Sequence, residues 1–421
     1  MPPSPKRIVL HDYGGYNFPG ELGQALAKRG YEVLHLYFTQ CMNPPAIGGG
    51  DCPSGYVLQG LSISGEFQKY SLIRRRQQEI EYGHVAVKAI RTFAPDIVIS
   101  SNAPADAQGI IQRACNKDGT PFIFWLQDII SVAISHILPK KLPVLGHLVG
   151  AYYRWKEARI LRGSSAVVAI TRHFLPICAD MGVPEERCHV VENWAPLNEI
   201  KPAARPIAWA EEQGLADKKV ILYSGTLGFK HNPAIFVELA RHFATQPDVR
   251  IVVITEGIGG RWLEERKQAE QLGNLVLLPY QPYSRLSEVL ATGDIVMAIL
   301  EEDAGIFSVP SKVLGYLCAG RPILLSVPLI NLAAETVITA KAGRAVPPND
   351  MERLINTAEE MLGSQLLRDE YAANARAYAV KNFDIERISD KFETILAQAA
   401  GKQAEPPSAV TSTLAAGKVT H

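Results

Sequence analysis

Several things are scarce in this sequence. No apolar run approaches the roughly 18 uninterrupted residues that a membrane-spanning helix requires, so none is expected. Only six cysteines occur (Cys41, Cys52, Cys115, Cys178, Cys188 and Cys318), with no CxxC pair, which argues against a disulfide framework or a zinc site and for reduced thiols. An excess of charge of either sign is also lacking: lysine plus arginine and aspartate plus glutamate each total 43. Without a global field to draw the molecule to nucleic acid, any anion site has to be local. The phosphate-cradling GxxxxGK[ST] loop is absent, which argues against a P-loop enzyme, and no GxGxxG dinucleotide fingerprint follows a strand. Asp294 and Asp303 lie too far apart to form a DxD-like metal pair, so no metal is expected. The proline-rich opening, residues 1–7, leads into an apolar run too short for a signal-peptide core, and a cytoplasmic protein is expected.

What is present reads as an ordinary globular chain. Its 421 residues are 47% apolar and 20% charged. That length exceeds what one hydrophobic core usually serves, and two domains of roughly 200 residues each are expected. Short β-branched runs alternate with amphipathic helical stretches, the pattern of parallel sheets covered by helices. Strands are expected at 7–11, 32–37, 96–100, 121–126, 166–170 and 189–191, with helices at 21–29 and 105–117. Pro196, Pro202 and Pro206 interrupt the pattern, so 196–215 reads as a linker. The alternation restarts with strands at 220–223, 250–254, 276–278, 295–300 and 322–327. Residues 216–400 form the second unit, mostly helical from Met351, and 401–421 read as a disordered tail. The fold class is therefore α/β, two Rossmann-like domains, 1–195 and 216–400, facing a central cleft.

Ligands of open parallel sheets gather beyond the carboxyl ends of the strands. Four loops there carry candidate chemistry. Tyr13, Gly14 and Gly15 follow the first strand, where paired glycines let backbone amides approach a ligand; an ordinary flexible turn fits as well. The stretch YSGTLGFKHN holds Gly225, Thr226 and Lys230 before a helix opened by Pro233, a combination suited to a diphosphate, although a lone lysine is most often solvated. Glu256 and Gly257 end another strand, where small residues permit a base or ribose to lie against backbone. Pro310, Ser311 and Lys312 open a short helix that Gly320 stops, leaving Ser311, Lys312 and nearby amides for oxygens, while Val313, Leu314 and Leu317 read as core.

The segment PSKVLGYLCAGRPIL, with LYSGTLGFKHN and the first glycine loop, resembles glycosyltransferase family 4, whose members adopt the two-Rossmann arrangement named GT-B. The likeness is nearer to bacterial exopolysaccharide and O-antigen enzymes of the colanic acid type, which share a Gln-Asp pair after a strand of the first domain and an Asn-Trp pair before the linker. Gln127-Asp128 and Asn193-Trp194 stand in those places, and the resemblance covers about residues 6–395.

It implies a retaining glycosyltransferase that needs no metal and takes a nucleoside diphosphate sugar as donor and a saccharide or lipid-linked molecule as acceptor. Donor binding would fall to Gly225, Thr226, Lys230, Glu256, Gly257, Pro310, Ser311 and Lys312 of the C-terminal domain. Tyr13, Gly14, Gly15, Gln127 and Asp128 would form the acceptor side, with Asp128, Lys230 and Lys312 catalytic; capping the next helix is the competing role for Asp128. The chain departs from the family at a pair of glutamates, replaced by Phe307 and Gly315, with Glu301 or Glu302 nearby as a substitute carboxylate. That departure keeps open a non-catalytic sugar-nucleotide-binding subunit and, more remotely, a sugar-nucleotide epimerase. Lys140, Lys141, Arg154, Lys156, Arg159 and Arg162, interleaved with Leu142, Leu145, Leu148, Val149, Tyr152, Tyr153 and Trp155, also raise a peripheral contact with an anionic membrane. An amphipathic helix packed on the sheet is the alternative.

Overall fold

The computed structural model describes residues 6–14, 17–40, 52–68, 71–101, 103–203, 207–228, 231–305 and 308–401. The expected tail after 401 lies outside them, as do Gly15, Lys230 and Phe307. The chain folds as two parallel sheets. The first contains β1 (Arg7–Asp12), β2 (Glu32–Phe38), β3 (Tyr56–Leu61), β4 (Ile97–Ser101), β5 (Phe122–Leu126), β6 (Ala166–Ala169) and β7 (Cys188–Val190) in the order β3-β2-β1-β4-β5-β6-β7. The second contains β8 (Lys219–Ser224), β9 (Val249–Ile254), β10 (Leu275–Leu278), β11 (Ile295–Ile299), β12 (Ile323–Ser326) and β13 (Gly343–Val346) in the order β10-β9-β8-β11-β12-β13.

Strand order reverses beside β1 in one sheet and beside β8 in the other, so each sheet has a switch point where the loops diverge and leave a crevice. The glycine loop after β1 and the Ser224–Gly225 turn after β8 sit at these two points. Alternation within β8 shows how the sheet is held: Val220 and Leu222 join a core shared by both lobes, whereas Ile221 and Tyr223 face a second core under the helix Ala234–His242.

Two strands that the sequence pattern does not announce, β3 and β13, are edge strands. β3 (YVLQGL) buries only its two end residues, so it has no apolar run to read. The expected linker also contains structure. The helix Ala208–Glu212 docks on the second lobe, where the buried Trp209 donates from Nε1 to Gln281 Oε1 at 3.0 Å and from its backbone amide to Glu288 Oε2 at 3.1 Å. The closing helix, Ile385–Gly401, follows the second lobe in sequence but packs against the first. Phe392 lies against Trp125 and Trp194, with centroid distances of 4.9 and 6.5 Å, and Arg29 forms ion pairs with Glu386, Asp390 and Glu393.

The interior of the first lobe holds the turn that leads to Gly14. Asp12, fully buried, accepts from the Gly14 amide at 3.0 Å and the Ser101 hydroxyl at 3.4 Å. His11 bonds Ser100 Oγ at 2.7 Å and Tyr82 Oη at 2.8 Å, and burial lowers its pKa to about 3, so it serves as a neutral strut. Burial pushes the Cys115, Cys178 and Cys318 thiols up to about 12, which leaves them protonated and unreactive.

Candidate functional site

A cavity of about 580 Å³ lies between the two sheets' carboxyl ends. From the first lobe it is lined by Phe18, Gln127 and Asp128, from the connecting segment by Asn193, Trp194 and Pro196, and from the second lobe by Gly225, Thr226, Pro310, Ser311 and Lys312. The Gln-Asp, Asn-Trp and PSK motifs, far apart in sequence, therefore meet in one place.

Lys312 supplies the positive charge. Its Nζ, itself buried, stands 3.7 Å from the centroid of the Tyr223 ring, a cation–π contact. Gly225 makes room for it. Its φ of +144° suits glycine, and a Cβ there would lie 2.7 Å from Lys312 Nζ. Tyr223 is anchored by its hydroxyl, which donates to the Thr226 carbonyl at 2.9 Å, and burial raises its pKa so that it stays neutral. Thr226 Oγ1 in turn bonds Tyr280 Oη at 2.9 Å. Asn331, almost fully buried, steadies the loop before Pro310 by donating to the carbonyls of Gly305 at 3.0 Å and Ser308 at 2.8 Å.

On the opposite wall, Asp128 precedes the helix Ile130–Lys141, whose first two amides are engaged by another carboxylate. The amides of Ile130 and Ser131 donate to Glu157, both at 3.1 Å, from the next helix, Pro143–Arg162. At those two amides the capping role weighed for Asp128 is filled by Glu157, a buried carboxylate from a helix that begins 13 residues further on. Gln127 and Asn193 exchange amide hydrogen bonds of 3.2 and 2.5 Å and tie this wall to the interlobe segment.

Other expected site residues fall elsewhere. The Tyr13 ring is buried in the first lobe, stacked on Phe38 at 5.0 Å and edge-on to Tyr82 at 5.0 Å, so it belongs to the core and not to the cavity wall. Gly14 turns its amide toward Asp12. Glu256 is exposed and accepts from the Tyr280 amide at 3.1 Å, and Gly257, with φ +89°, heads the helix Ile258–Glu270; both lie beside the Thr226 loop but outside the cavity lining. Glu301 and Glu302 do not line it either. Gly315 does line the cavity but carries no side chain, so it brings no carboxylate to the wall.

Trp194 closes the base of the cavity, stacked on Trp125 at 5.8 Å, and donates from Nε1 to Glu21 Oε2 at 2.7 Å. Desolvation raises the Glu21 pKa from 4.5 to about 7, with the Trp194 hydrogen bond opposing the rise and Glu199 adding to it. Because the folded-state value lies above the unfolded one, the protonated form is favoured by folding, and stability declines as pH rises from 4.5 through about 7. Glu21→Gln keeps an acceptor for Trp194 and removes this titration. The variant is expected to match wild type near about pH 4 and to exceed it by up to ~3 kcal/mol near about pH 8, as read by urea unfolding at the two pH values. Equal pH dependence of the two proteins would show that Glu21 is not the group responsible.

Two switch-point crevices facing each other across one cavity define the architecture of the two-lobed, nucleotide-dependent transferases. Comparison with known proteins makes this specific. The model described as "Glycosyl transferase 4-like domain" matches residues 14–194 and that described as "Glycosyl transferases group 1" matches 208–398. The chain belongs to the family-4 glycosyltransferases of GT-B fold. It is 25% identical over 230 residues to the putative colanic acid biosynthesis glycosyl transferase WcaI of Escherichia coli (strain K12), a stretch covering 54% of this chain and 55% of that protein. It is 22% identical over 249 residues to the alpha-D-kanosaminyltransferase of Streptomyces kanamyceticus, covering 58% of this chain and 62% of the relative. The similarity thus spans little more than half of each relative's length. Among solved structures, Anabaena Alr3699/HepE in complex with UDP and glucose superposes with a TM-score of 0.69 at 15% identity, covering 93% of this chain and 99% of that one, a likeness of fold.

Proposed function

We propose that this chain transfers a sugar, with retention at the anomeric carbon, from a nucleoside diphosphate sugar to a saccharide or lipid-linked acceptor in surface polysaccharide synthesis at the cytoplasmic face of the membrane. The observation that carries the reading is the convergence of Asp128 and Lys312 from different lobes on one cavity. As the bond from the anomeric carbon to the diphosphate breaks, negative charge collects on the departing phosphate oxygen. A fixed cation in a water-poor pocket stabilises that charge where a solvated one would not. Lys312 takes this role, assisted by Lys230, with no metal required. Gly225, Thr226, Pro310 and Ser311 shape the diphosphate cradle. Asp128 orients the attacking hydroxyl, whose oxygen forms the new bond to the sugar while its proton passes to the departing phosphate oxygen. Closing the lobes about residues 196–203 excludes water that would otherwise hydrolyse the donor. The UDP found in the structural neighbour and the sugar-transferase names of the curated relatives support the donor class.

Gly315, a cavity-lining position without a carboxylate, favours one alternative, a subunit that holds sugar nucleotide without turning it over. A thermal-shift panel of nucleoside diphosphates and their sugars separates the readings, because a ligand at 100 times its Kd adds about 2.7 kcal/mol of stability. We expect one base to stabilise the protein. Asp128→Asn is expected to keep that shift while turnover falls by about 10²-fold or more, the scale of a lost positioning group. Binding without turnover in wild type would favour the silent subunit; donor conversion without acceptor would indicate an epimerase.

A further inference from the structure

The hairpin that leaves the cavity after Asp128 carries a surface that the transfer chemistry does not use. Its helices, Ile130–Lys141 and Pro143–Arg162, meet through glycines: a Cβ at Gly146 would lie 2.6 Å from the Pro139 nitrogen, and one at Gly150 2.7 Å from Ser135 Oγ. Close approach on the glycine side turns the opposite side of the second helix outward. Val144, Leu148, Trp155, Arg159 and Arg162 recur at helical spacing and form one row. Its first members are large and apolar yet exposed: Val144 by 79%, Leu148 by 66% and Trp155 by 55%, flanked by Leu145 at 56%. The row ends in cations, and the Arg159 guanidinium sits 5.7 Å from the centroid of the Trp155 ring.

Charge selects the occupant. Residues 130–162 contain six lysines and arginines and one acid, Glu157. That acid is buried and committed to the helix amides, so it does not offset the outer face. Arg154 pairs with Asp180 and Lys156 with Asp106, which leaves Arg159 and Arg162 without a carboxylate among the described ion pairs. Arg76, reaching from the helix Leu72–Phe93, donates to Tyr152 Oη at 3.2 Å and shares Asp106 with Lys156, so one carboxylate faces two cations beside the row. A second copy of this chain packed by the same face would bring these arginines face to face, a like-charge contact that opposes association. A lipid surface satisfies both halves of the row: acyl chains accept the leucine, valine and tryptophan side chains, and anionic headgroups accept the arginines.

We propose that the exposed row of the Pro143–Arg162 helix docks the protein on an anionic lipid bilayer, with Val144, Leu148 and Trp155 entering the headgroup boundary and Arg159 and Arg162 meeting lipid phosphates. The docking rests on the proposed function for its purpose, bringing a lipid-linked acceptor to the Asp128 wall from which the hairpin departs. It rests on the hairpin's own geometry for its existence.

The test is co-sedimentation of the full chain with vesicles of phosphatidylethanolamine and phosphatidylglycerol in equal parts, against vesicles of phosphatidylcholine alone. Wild type is expected to bind the anionic vesicles at low salt, to be released as salt rises, and to ignore phosphatidylcholine. The triple variant Val144→Glu, Leu148→Glu, Trp155→Glu alters only exposed positions; it should keep the wild-type melting temperature and bind at least about tenfold more weakly, the minimum for losing one inserted apolar side chain. Arg159→Glu should weaken binding at low salt and little at high salt. No binding of wild type at low salt, or unchanged binding of the triple variant, would overturn the proposal. A concentration-dependent dimer abolished by the triple variant would overturn it too, in favour of self-association. Nucleotide thermal shift in vesicle-free buffer reads the donor site separately, so loss of one result does not entail loss of the other.

Discussion

Lys312→Ala is expected to lower kcat/KM for the nucleotide sugar by about 10²–10³, the range seen when one preorganised charge stabiliser is removed from a desolvated site. Among the described residues lining the cavity, Lys312 is the one lysine or arginine. The Tyr223 ring, 3.7 Å from Nζ, orders the predicted ranking of variants. Tyr223→Phe keeps the ring and loses one hydrogen bond to the Thr226 carbonyl, so about a tenfold effect or less is expected. Tyr223→Leu also loses the cation–π contact, worth ~0.5–2 kcal/mol, and should fall between the phenylalanine variant and Lys312→Ala. Gly225→Ala puts a methyl group 2.7 Å from Nζ, the end of a flexible chain that can shift, and strains a backbone at φ +144°, so its effect should stay below that of Lys312→Ala. These effects are read by steady-state kinetics with thermal shift as the binding control. A Lys312→Ala protein that binds and turns over donor as wild type does would remove the diphosphate from this wall.

The two-lobed fold was legible because a buried parallel strand is a continuous apolar run that stands out against the helical pattern around it. FIFWL in β5 and RIVVI within β9 need no partner to be recognised. β3 and β13 were not, because neither presents an apolar run: YVLQGL buries only its two ends, and GRAV is four residues holding a glycine and an exposed arginine. The switch-point loops were legible for a local reason as well: Gly225 and Pro310 mark backbone turns wherever they occur. What those loops touch was not. Tyr223 reads as one more buried residue of a strand, and nothing in its neighbourhood says that Lys312, on another element, will lie across its ring. Tyr13 shows the reverse error. Beside two glycines it reads as a binding-loop residue, yet Phe38 and Tyr82 arrive from other elements to bury it. Likewise, Asp before a helix is a good local cap, but Glu157 reaches the amides from the next helix.

The closing helix presents the same contrast on a larger scale, and magnitudes decide what holds it. Two kinds of contact fasten Ile385–Gly401 to the first lobe: the Phe392 ring among Trp125 and Trp194, and the Arg29 cluster with Glu386, Asp390 and Glu393. The ion pairs are more numerous and look stronger. Yet the side chains of Glu386 and Asp390 are 63% and 69% exposed, where a pair contributes about 0–1 kcal/mol and is screened by salt. Phe392 is fully buried, and its truncation loses both the transferred area and the contacts lining the void. Phe392→Ala is therefore expected to cost ~3–5 kcal/mol of stability in urea unfolding, and Arg29→Ala about 1–2 kcal/mol, shrinking as salt is added. Because the ring also backs Trp194 at the base of the cavity, Phe392→Ala should weaken nucleotide binding as well, whereas Arg29→Ala should not. If Arg29→Ala proved the more damaging of the two at high salt, charge and not ring packing would be what ties the helix across the lobes.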